Sequence, residues 1–166
     1  VTSIPAYAFN NAVNITSIVI PDGVTSIGDW AFNYCSLTAI TIPDSITSVG
    51  NSAFYSLSPY DVYYKGTVQN WINIEFYNSS SYPNYYQNNG TLHLLDENGN
   101  EITEIVIPDG VTSIPAYAFS NAKNITSIAI PNSVTSIGES AFGDCTSLTD
   151  VYYTGTVETW VNMRIT

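Results

Sequence analysis

Positive charge is scarce: 3 Lys and Arg stand against 14 Asp and Glu, a formal net charge of −11. That balance repels phosphate backbones and anionic headgroups, so nucleic acid and membrane surfaces are poor partners. Charge of either sign is thin, at 10% of residues, which leaves Ser, Thr, Asn and Tyr to supply most of the wet surface. There is 1 His, His93, so no imidazole pair exists for a zinc site. Two cysteines, Cys35 and Cys145, are too few for a disulfide framework. No apolar run approaches about 20 residues, so no membrane-spanning helix is expected.

The same scarcities argue against an enzyme. A Ser or Cys nucleophile needs a base within hydrogen-bond reach, and His93 lies in a predicted hairpin strand, where a cross-strand packing role is expected. Carboxylates for glycoside hydrolysis would come from scattered outward positions such as Asp61, Glu75, Glu101 and Glu104. Nothing in their spacing sets two of them about 5–9 Å apart. Asp96-Glu-Asn-Gly-Asn-Glu101 offers oxygen ligands, but its glycine falls at position four, where a tight turn needs it, and not at position six as in a calcium loop. No metal and no cofactor are expected.

What the chain does have is repetition. Val24-Thr-Ser-Ile-Gly-Asp-Trp-Ala-Phe32, Ile46-Thr-Ser-Val-Gly-Asn-Ser-Ala-Phe54 and Val134-Thr-Ser-Ile-Gly-Glu-Ser-Ala-Phe142 are copies of one unit. Val1-Thr-Ser-Ile-Pro-Ala-Tyr-Ala-Phe9 and Val111-Thr-Ser-Ile-Pro-Ala-Tyr-Ala-Phe119 are a second version. Successive units are 22 or 23 residues apart, inside the leucine-rich-repeat window of a strand plus a short connecting segment. Ile15-x-x-Ile18-x-Ile20 and Ile125-x-x-Ile128-x-Ile130 fit the strand pattern, with Ile18 and Ile20 inward and Val19 outward. Pro21, Pro43, Pro108 and Pro131 close these strands by fixing φ and withholding an N–H. Val24-Thr-Ser-Ile27 is long enough for a second short strand. Asp29-Trp-Ala-Phe32 then turns inward as one predicted helical or 3₁₀ turn, and Phe9, Phe32, Phe54, Phe119 and Phe142 are expected to stack as an inner spine. Cys35 and Cys145 occupy equivalent slots of different repeats and are expected to stay unpaired as small buried residues.

The predicted fold is therefore a β-rich α/β solenoid. It is a right-handed coil of 22–23-residue repeats, with short strands on two faces, short helical or 3₁₀ turns and one β-hairpin insertion. A longer cassette overlies the short period, since Asp61-Val-Tyr-Tyr-Lys-Gly-Thr-Val-Gln-Asn-Trp71 returns as Asp150-Val-Tyr-Tyr-Thr-Gly-Thr-Val-Glu-Thr-Trp160. The expected organisation is one solenoid, with repeats over 1–71, an irregular insertion and hairpin start over 72–100, and repeats over 101–166. The chain opens inside one repeat and stops just after another, as a piece of a longer protein would. Its cut ends are expected to fray or to associate end to end.

The order Ile-x-Ile-Pro-x-x-Val-Thr-Ser-Ile-Gly-x-x-Ala-Phe-x-x-Cys, read across the copies, resembles the BspA-type leucine-rich repeats of bacterial surface proteins. The Val-Tyr-Tyr-x-Gly-Thr-Val-x-x-Trp element resembles inserts of the same family. Pro-Asp-Gly or Pro-Asp-Ser follows the strand where commoner leucine-rich repeats carry an Asn ladder. The resemblance implies an extracellular or cell-surface protein with a binding or adhesion role, and it supplies no catalytic residues.

Binding residues are expected where the outward ladder departs from Thr and Ser. Asp61, Tyr63, Glu104, Asp150 and Tyr152 are the candidates there. Tyr82 and Tyr85, in the tyrosine-rich stretch 77–90, form a second patch, or alternatively a staple packed over the solenoid edge. The expected partner is an extracellular or host protein. A glycan and a purely structural spacer role are the alternatives.

Overall fold

The computed structural model describes residues 1–55, 60–84 and 90–166. Its strands, in chain order, are β1 (Ser3–Ile4), β2 (Ser17–Val19), β3 (Ser26–Ile27), β4 (Ala39–Pro43), β5 (Ser48–Val49), β6 (Asp61–Lys65), β7 (Glu75–Phe76), β8 (Leu92–Leu95), β9 (Glu104–Val106), β10 (Ser113–Ile114), β11 (Ser127–Ile130), β12 (Ser136–Ile137), β13 (Asp150–Tyr153) and β14 (Arg164–Ile165). Two short helices, α1 (Val68–Ile72) and α2 (Val157–Val161), follow β6 and β13. Each is opened by a Thr, Thr67 or Thr156, whose side chain accepts the backbone N–H three residues on.

The strands stack coil on coil as parallel ladders, β2-β4-β6-β8 on one face and β1-β3-β5-β7 on the other. A second pair of ladders, β9-β11-β13 and β10-β12-β14, repeats the arrangement. The solenoid is thus two stacks with a break between them. Alternation places Ile18, Ile20, Ile40 and Ile42 toward the core and leaves Val19 on the surface, as predicted. Phe9, Phe32 and Phe54 stack at centroid spacings of 5.2 and 5.4 Å, and Phe119 stacks on Phe142 at 5.5 Å. Each buried ring contributes roughly 1.5–3 kcal/mol by leaving water. Both thiols are free and donate to the neighbouring coil, Cys35 Sγ to Phe9 O and Cys145 Sγ to Phe119 O. Burial raises both, that of Cys145 to about 11.

Two local expectations are corrected. The Ala-Phe segment of the plain repeats is a chain of tight turns and no helix. Tyr7, Asn11, Trp30, Tyr34, Tyr117, Asn121, Ser140 and Asp144 hold positive φ there. In that conformation the N–H of every second residue points at the next coil. Tyr7, Phe9 and Asn11 donate to the carbonyls of Asp29, Ala31 and Asn33, and Tyr117, Phe119 and Asn121 to those of Glu139, Ala141 and Gly143. A helix would have spent those donors internally; the turns make a third inter-coil ladder of them. The hairpin is also smaller than predicted. Asp96 and Asn100 close the turn, but Leu95 and Glu101 form a single antiparallel bridge. Leu92–Leu95 instead ends the first stack, paired in parallel with β6.

Glycine and proline mark the two kinds of coil. A Cβ on Gly28 would lie 2.5 Å from Ala6 N, and one on Gly138 would strike the backbone of Pro115 and Ala116. Glycine in Val-Thr-Ser-Ile-Gly is therefore a close-approach residue, needed wherever a regular coil lies beneath. Pro5 and Pro115 hold that slot in the other version. Coil 111–119 opens the second stack and has no regular coil beneath it.

What lies beneath it is a joint. In a regular stack the carbonyls of Ala31, Asn33 and their equivalents accept backbone N–H groups from the previous coil. The equivalent carbonyls of Ala118 and Ser120 receive side chains instead. Trp71 Nε1 donates to Ala118 O at 2.6 Å, and Asn84 Nδ2 donates to Ser120 O at 2.9 Å and to Tyr117 O at 3.0 Å. Asn121 Nδ2 answers by donating to Asn84 O. Trp71 and Asn84, both buried, thus stand in for the N–H groups of a coil that is not there. Phe76, Tyr82 and Tyr117 fill the space beside them as a continuous aromatic contact.

Candidate functional site

The β2-β4-β6-β8 and β9-β11-β13 faces carry the outward rows, and register fixes which side chains share one. In the first stack one row runs Ser17, Ala39, Asp61 and the next runs Val19, Thr41, Tyr63, His93. In the second stack the rows are Glu104, Ser127, Asp150 and Val106, Ala129, Tyr152. Both rows begin as small or β-branched residues and change chemistry at the break between stacks and again on β13.

At the break, three elements converge on His93. Its ring stacks on Tyr63 with centroids 4.5 Å apart and planes 9° from parallel. Nδ1 lies 2.8 Å from Glu101 Oε1 and 3.1 Å from Asn124 Nδ2, and Asn124 also donates to Glu101. Nε2 faces Asp61 Oδ1 at 3.9 Å, too far for a hydrogen bond, and that buried nitrogen has no hydrogen-bond partner among the described residues. The carboxylate of Asp61 is held from the other side by Thr91 N at 3.0 Å. His93 is 12% exposed while Asp61 and Glu101 remain nearly half open to solvent. Burial, helped by the negative charge of Asp61 and Glu101, pushes the Tyr63 hydroxyl up from its ordinary range. The product is a rigid acidic patch with an aromatic floor. The two carboxylates face opposite nitrogens of one ring, an arrangement that cannot close on one metal ion. Among the described residues no group of three His, Cys, Asp or Glu is placed to hold one.

Sequence reasoning placed Asp61 and Tyr63 together, and so does the structure. Glu104 and Asp150 flank Ser127 in one row, so their backbones are about 10 Å apart. Tyr152 stands two residues beyond Asp150 and is 59% exposed. Tyr82 is not on this surface: it stacks on Phe76 at 3.8 Å and meets Tyr117 edge-on, so of its two predicted roles it takes the packed one. Burial raises its hydroxyl accordingly. Tyr85 lies outside the described residues. His93, Glu101 and Asn124 were not singled out as binding residues. The register Tyr63 opposite His93 is not visible in a sequence whose period breaks at residue 72. Also unforeseen is an aromatic cluster on the turn side of the first stack, where Tyr55 meets Trp30 and Tyr34 edge to face and Tyr34 and Tyr55 are exposed.

Solved structures similar to this chain include bacterial leucine-rich repeat proteins. A leucine-rich cell surface protein from Faecalibacterium prausnitzii is 22% identical, with 98% of this chain and 66% of that chain covered at a TM-score of 0.42. A leucine-rich repeat protein from Eubacterium ventriosum is 21% identical over 92% of this chain and 57% of its own, TM-score 0.45. One from Bacteroides ovatus is 19% identical over 92% and 52%, TM-score 0.35. The chain thus spans between half and two-thirds of the length of these proteins. No curated protein matches it. The profile of the BspA type leucine rich repeat region, in 6 copies, matches residues 2–98 and 96–163. With nearly every residue inside that match, the chain belongs to the BspA-type leucine-rich repeat family.

Proposed function

We propose that the chain is a non-enzymatic binding module of a bacterial cell-surface or secreted protein, and that it contacts a partner protein through the outward ladder. The observation that supports this reading is the change along the two outward rows, from Thr, Ser and Val to Asp61, Tyr63 and His93, with Glu101 against the His93 ring, and then to Asp150 and Tyr152. Rigid aromatics among fixed carboxylates are the residue types that anchor protein contacts, and a chain of net charge −11 favours a basic partner surface. Surface plasmon resonance against a panel of extracellular-matrix proteins at two salt concentrations tests it. Tyr152→Ala is expected to weaken binding by roughly 10- to 30-fold, and Asp150→Asn to weaken it mainly at low salt. Binding that survives both substitutions unchanged would place the contact elsewhere.

A second reading, a glycan ligand, is favoured by the Trp30, Tyr34 and Tyr55 cluster, since its exposed tyrosines offer ring faces and hydroxyls to a sugar. A glycan array that is silent for the wild-type chain removes it. Retention on the array that is lost in Tyr34→Ala supports it.

A further inference from the structure

The turn segments carry aromatic side chains that the stack does not require. One slot of the segment holds positive φ at Tyr7, Trp30, Ser52, Tyr117 and Ser140, and a second holds it at Asn11, Tyr34, Asn121 and Asp144. That left-handed conformation is tolerated best by short polar side chains, Asn and Asp above all, and worst by bulky ones. Tyr34 N donates to Tyr55 O as Asn11 N does to Asn33 O and Asn121 N to Gly143 O, so the inter-coil bond at that slot needs no ring. Ser52 and Ser140 hold the Trp30 slot without one. Tyr117, at the same slot in the second stack, is buried in the joint against Tyr82. Tyr34 has no such burial: it is 53% exposed, and its neighbour Tyr55 is 43% exposed. Strained aromatics thus stand where Asn or Ser would serve the stack, and their gain lies outside it.

Three of these rings meet, from two neighbouring coils. Tyr55 lies 5.9 Å from Trp30 at an interplanar angle of 75° and 6.4 Å from Tyr34 at 88°. Rings set near right angles form a corner, with two π faces turned toward one small volume. A flat sugar ring stacks on one face of such a corner. A rounded cation meets both, and each face presents the negative part of the ring quadrupole. The backbone beneath is fixed, since Trp30 N donates to Asn51 O and Tyr34 N to Tyr55 O. Charge favours the same ligand. Residues 1–64 contain no Lys or Arg but hold Asp22, Asp29, Asp44 and Asp61. Asp29, exposed and next to Trp30 in the chain, has its carboxylate fixed by Asn51 N at 2.7 Å.

We propose that Trp30, Tyr34 and Tyr55 form a site for an organic ammonium group, held by cation–π attraction in the corner between the rings. The proposal narrows the glycan reading of the same cluster and rests on it for one of two sources. The cation arrives free, as in choline, or as the protonated amine of an amino sugar. In both cases shape and charge are recognised together, so a neutral group of the same shape binds more weakly.

Isothermal titration calorimetry on the whole chain tests it with choline, the neutral tert-butyl analogue of choline, a glucosamine oligomer and the N-acetylated form of that oligomer. Choline is expected to bind in the millimolar range, and its neutral analogue at least about tenfold more weakly. A glucosamine oligomer that binds above its acetylated form identifies the amino sugar as a source, and binding of choline alone identifies the free cation. Tyr34→Asn places at its slot the residue that Asn11 and Asn121 already supply, so melting is expected at or above the wild-type temperature while binding falls at least about tenfold. Neutral probes that bind as well as the charged ones overturn the proposal and leave the glycan reading standing. Choline binding that Tyr34→Asn leaves unchanged also overturns it, since that is attraction to an acidic chain at large. Silence from all four probes overturns it as well, and the glycan array then decides the broader reading by itself.

Discussion

Trp71→Phe separates the role of the indole N–H from that of the ring. The substitution keeps an aromatic side chain against Tyr64 and Phe76 but removes the donor to Ala118 O. A buried carbonyl stripped of its partner costs about 1–3 kcal/mol. The smaller ring adds roughly 1 kcal/mol for the space left behind, so the sum is about 2–4 kcal/mol. Among the described residues Asn84 Nδ2 also approaches Ala118 O, at 3.5 Å, but it is engaged with Ser120 O and Tyr117 O. The chain contains its own control. Trp160→Phe changes the same residue in the same element, without a buried carbonyl above it, and is expected to cost within about 0.5 kcal/mol in dilute solution. Urea unfolding followed by circular dichroism measures both. Because coils support one another in a line, weakening the joint uncouples the two stacks, and the single transition of the wild type is expected to broaden or split in Trp71→Phe alone. If Trp71→Phe falls within about 0.5 kcal/mol of Trp160→Phe, with an unbroken transition, side chains are not replacing a missing coil's backbone.

Two further expectations concern the coil contacts and the buried hydroxyls. Gly138→Ala places a methyl against the backbone of Pro115 and Ala116, and should cost about 1–3 kcal/mol or more by overpacking; Pro115→Gly, in the coil that opens the second stack, should cost only about 0.4–1 kcal/mol through the freer unfolded chain; equal effects would sink the close-approach account of the glycines. The second concerns alkali: burial raises the hydroxyls of Tyr60, Tyr64 and Tyr82 above the ordinary 10.0, and for Tyr64 a hydrogen bond to Asp44 adds to it. A raised folded value means the folded chain holds the proton longer, so this stability is complete below about pH 10 and is lost as pH rises above it. Phenolate absorbance should then show these tyrosines ionising together with unfolding, whereas titration of all 13 tyrosines in one step with the fold intact would contradict it.

Much of the solenoid was legible because its causes are local and repeat. Alternation, the closing prolines and the Phe slot each recur with a 22- or 23-residue step, so inward and outward faces follow from the chain alone. The turn segment was misread because Trp30, Tyr34 and Ser52 adopt positive φ, which nothing in those side chains advertises. Only the gain of an inter-coil donor at alternate residues explains it, and that gain exists only in the stack. His93 was legible as a packing residue, and it does stack on Tyr63. Its contacts with Glu101 and Asn124 come from a second stack whose register against the first is set by the joint, and the joint is built from residues with no repeat period at all.

That joint changes what counts as a meaningful departure from the repeat. Pro5 and Pro115 look like conservative variants of glycine in a turn-rich coil. Sterically they are opposites, since glycine at this slot admits a regular coil below and proline refuses one. A coil with proline needs other donors for its carbonyls, and the Val-Tyr-Tyr-x-Gly-Thr-Val-x-x-Trp element brings one on a short helix. Strand order, proline and tryptophan are therefore one device. It breaks the ladder of backbone hydrogen bonds at a chosen coil and restores it with side chains. The break is also where the outward rows exchange Thr and Ser for Asp61, Tyr63 and His93, with Glu101 beside them. In every coil the inward residues hold the fold and the outward ones face solvent, free to vary. At a joint the register is held from inside by Trp71 and Asn84, and the outward residues are free to become something else.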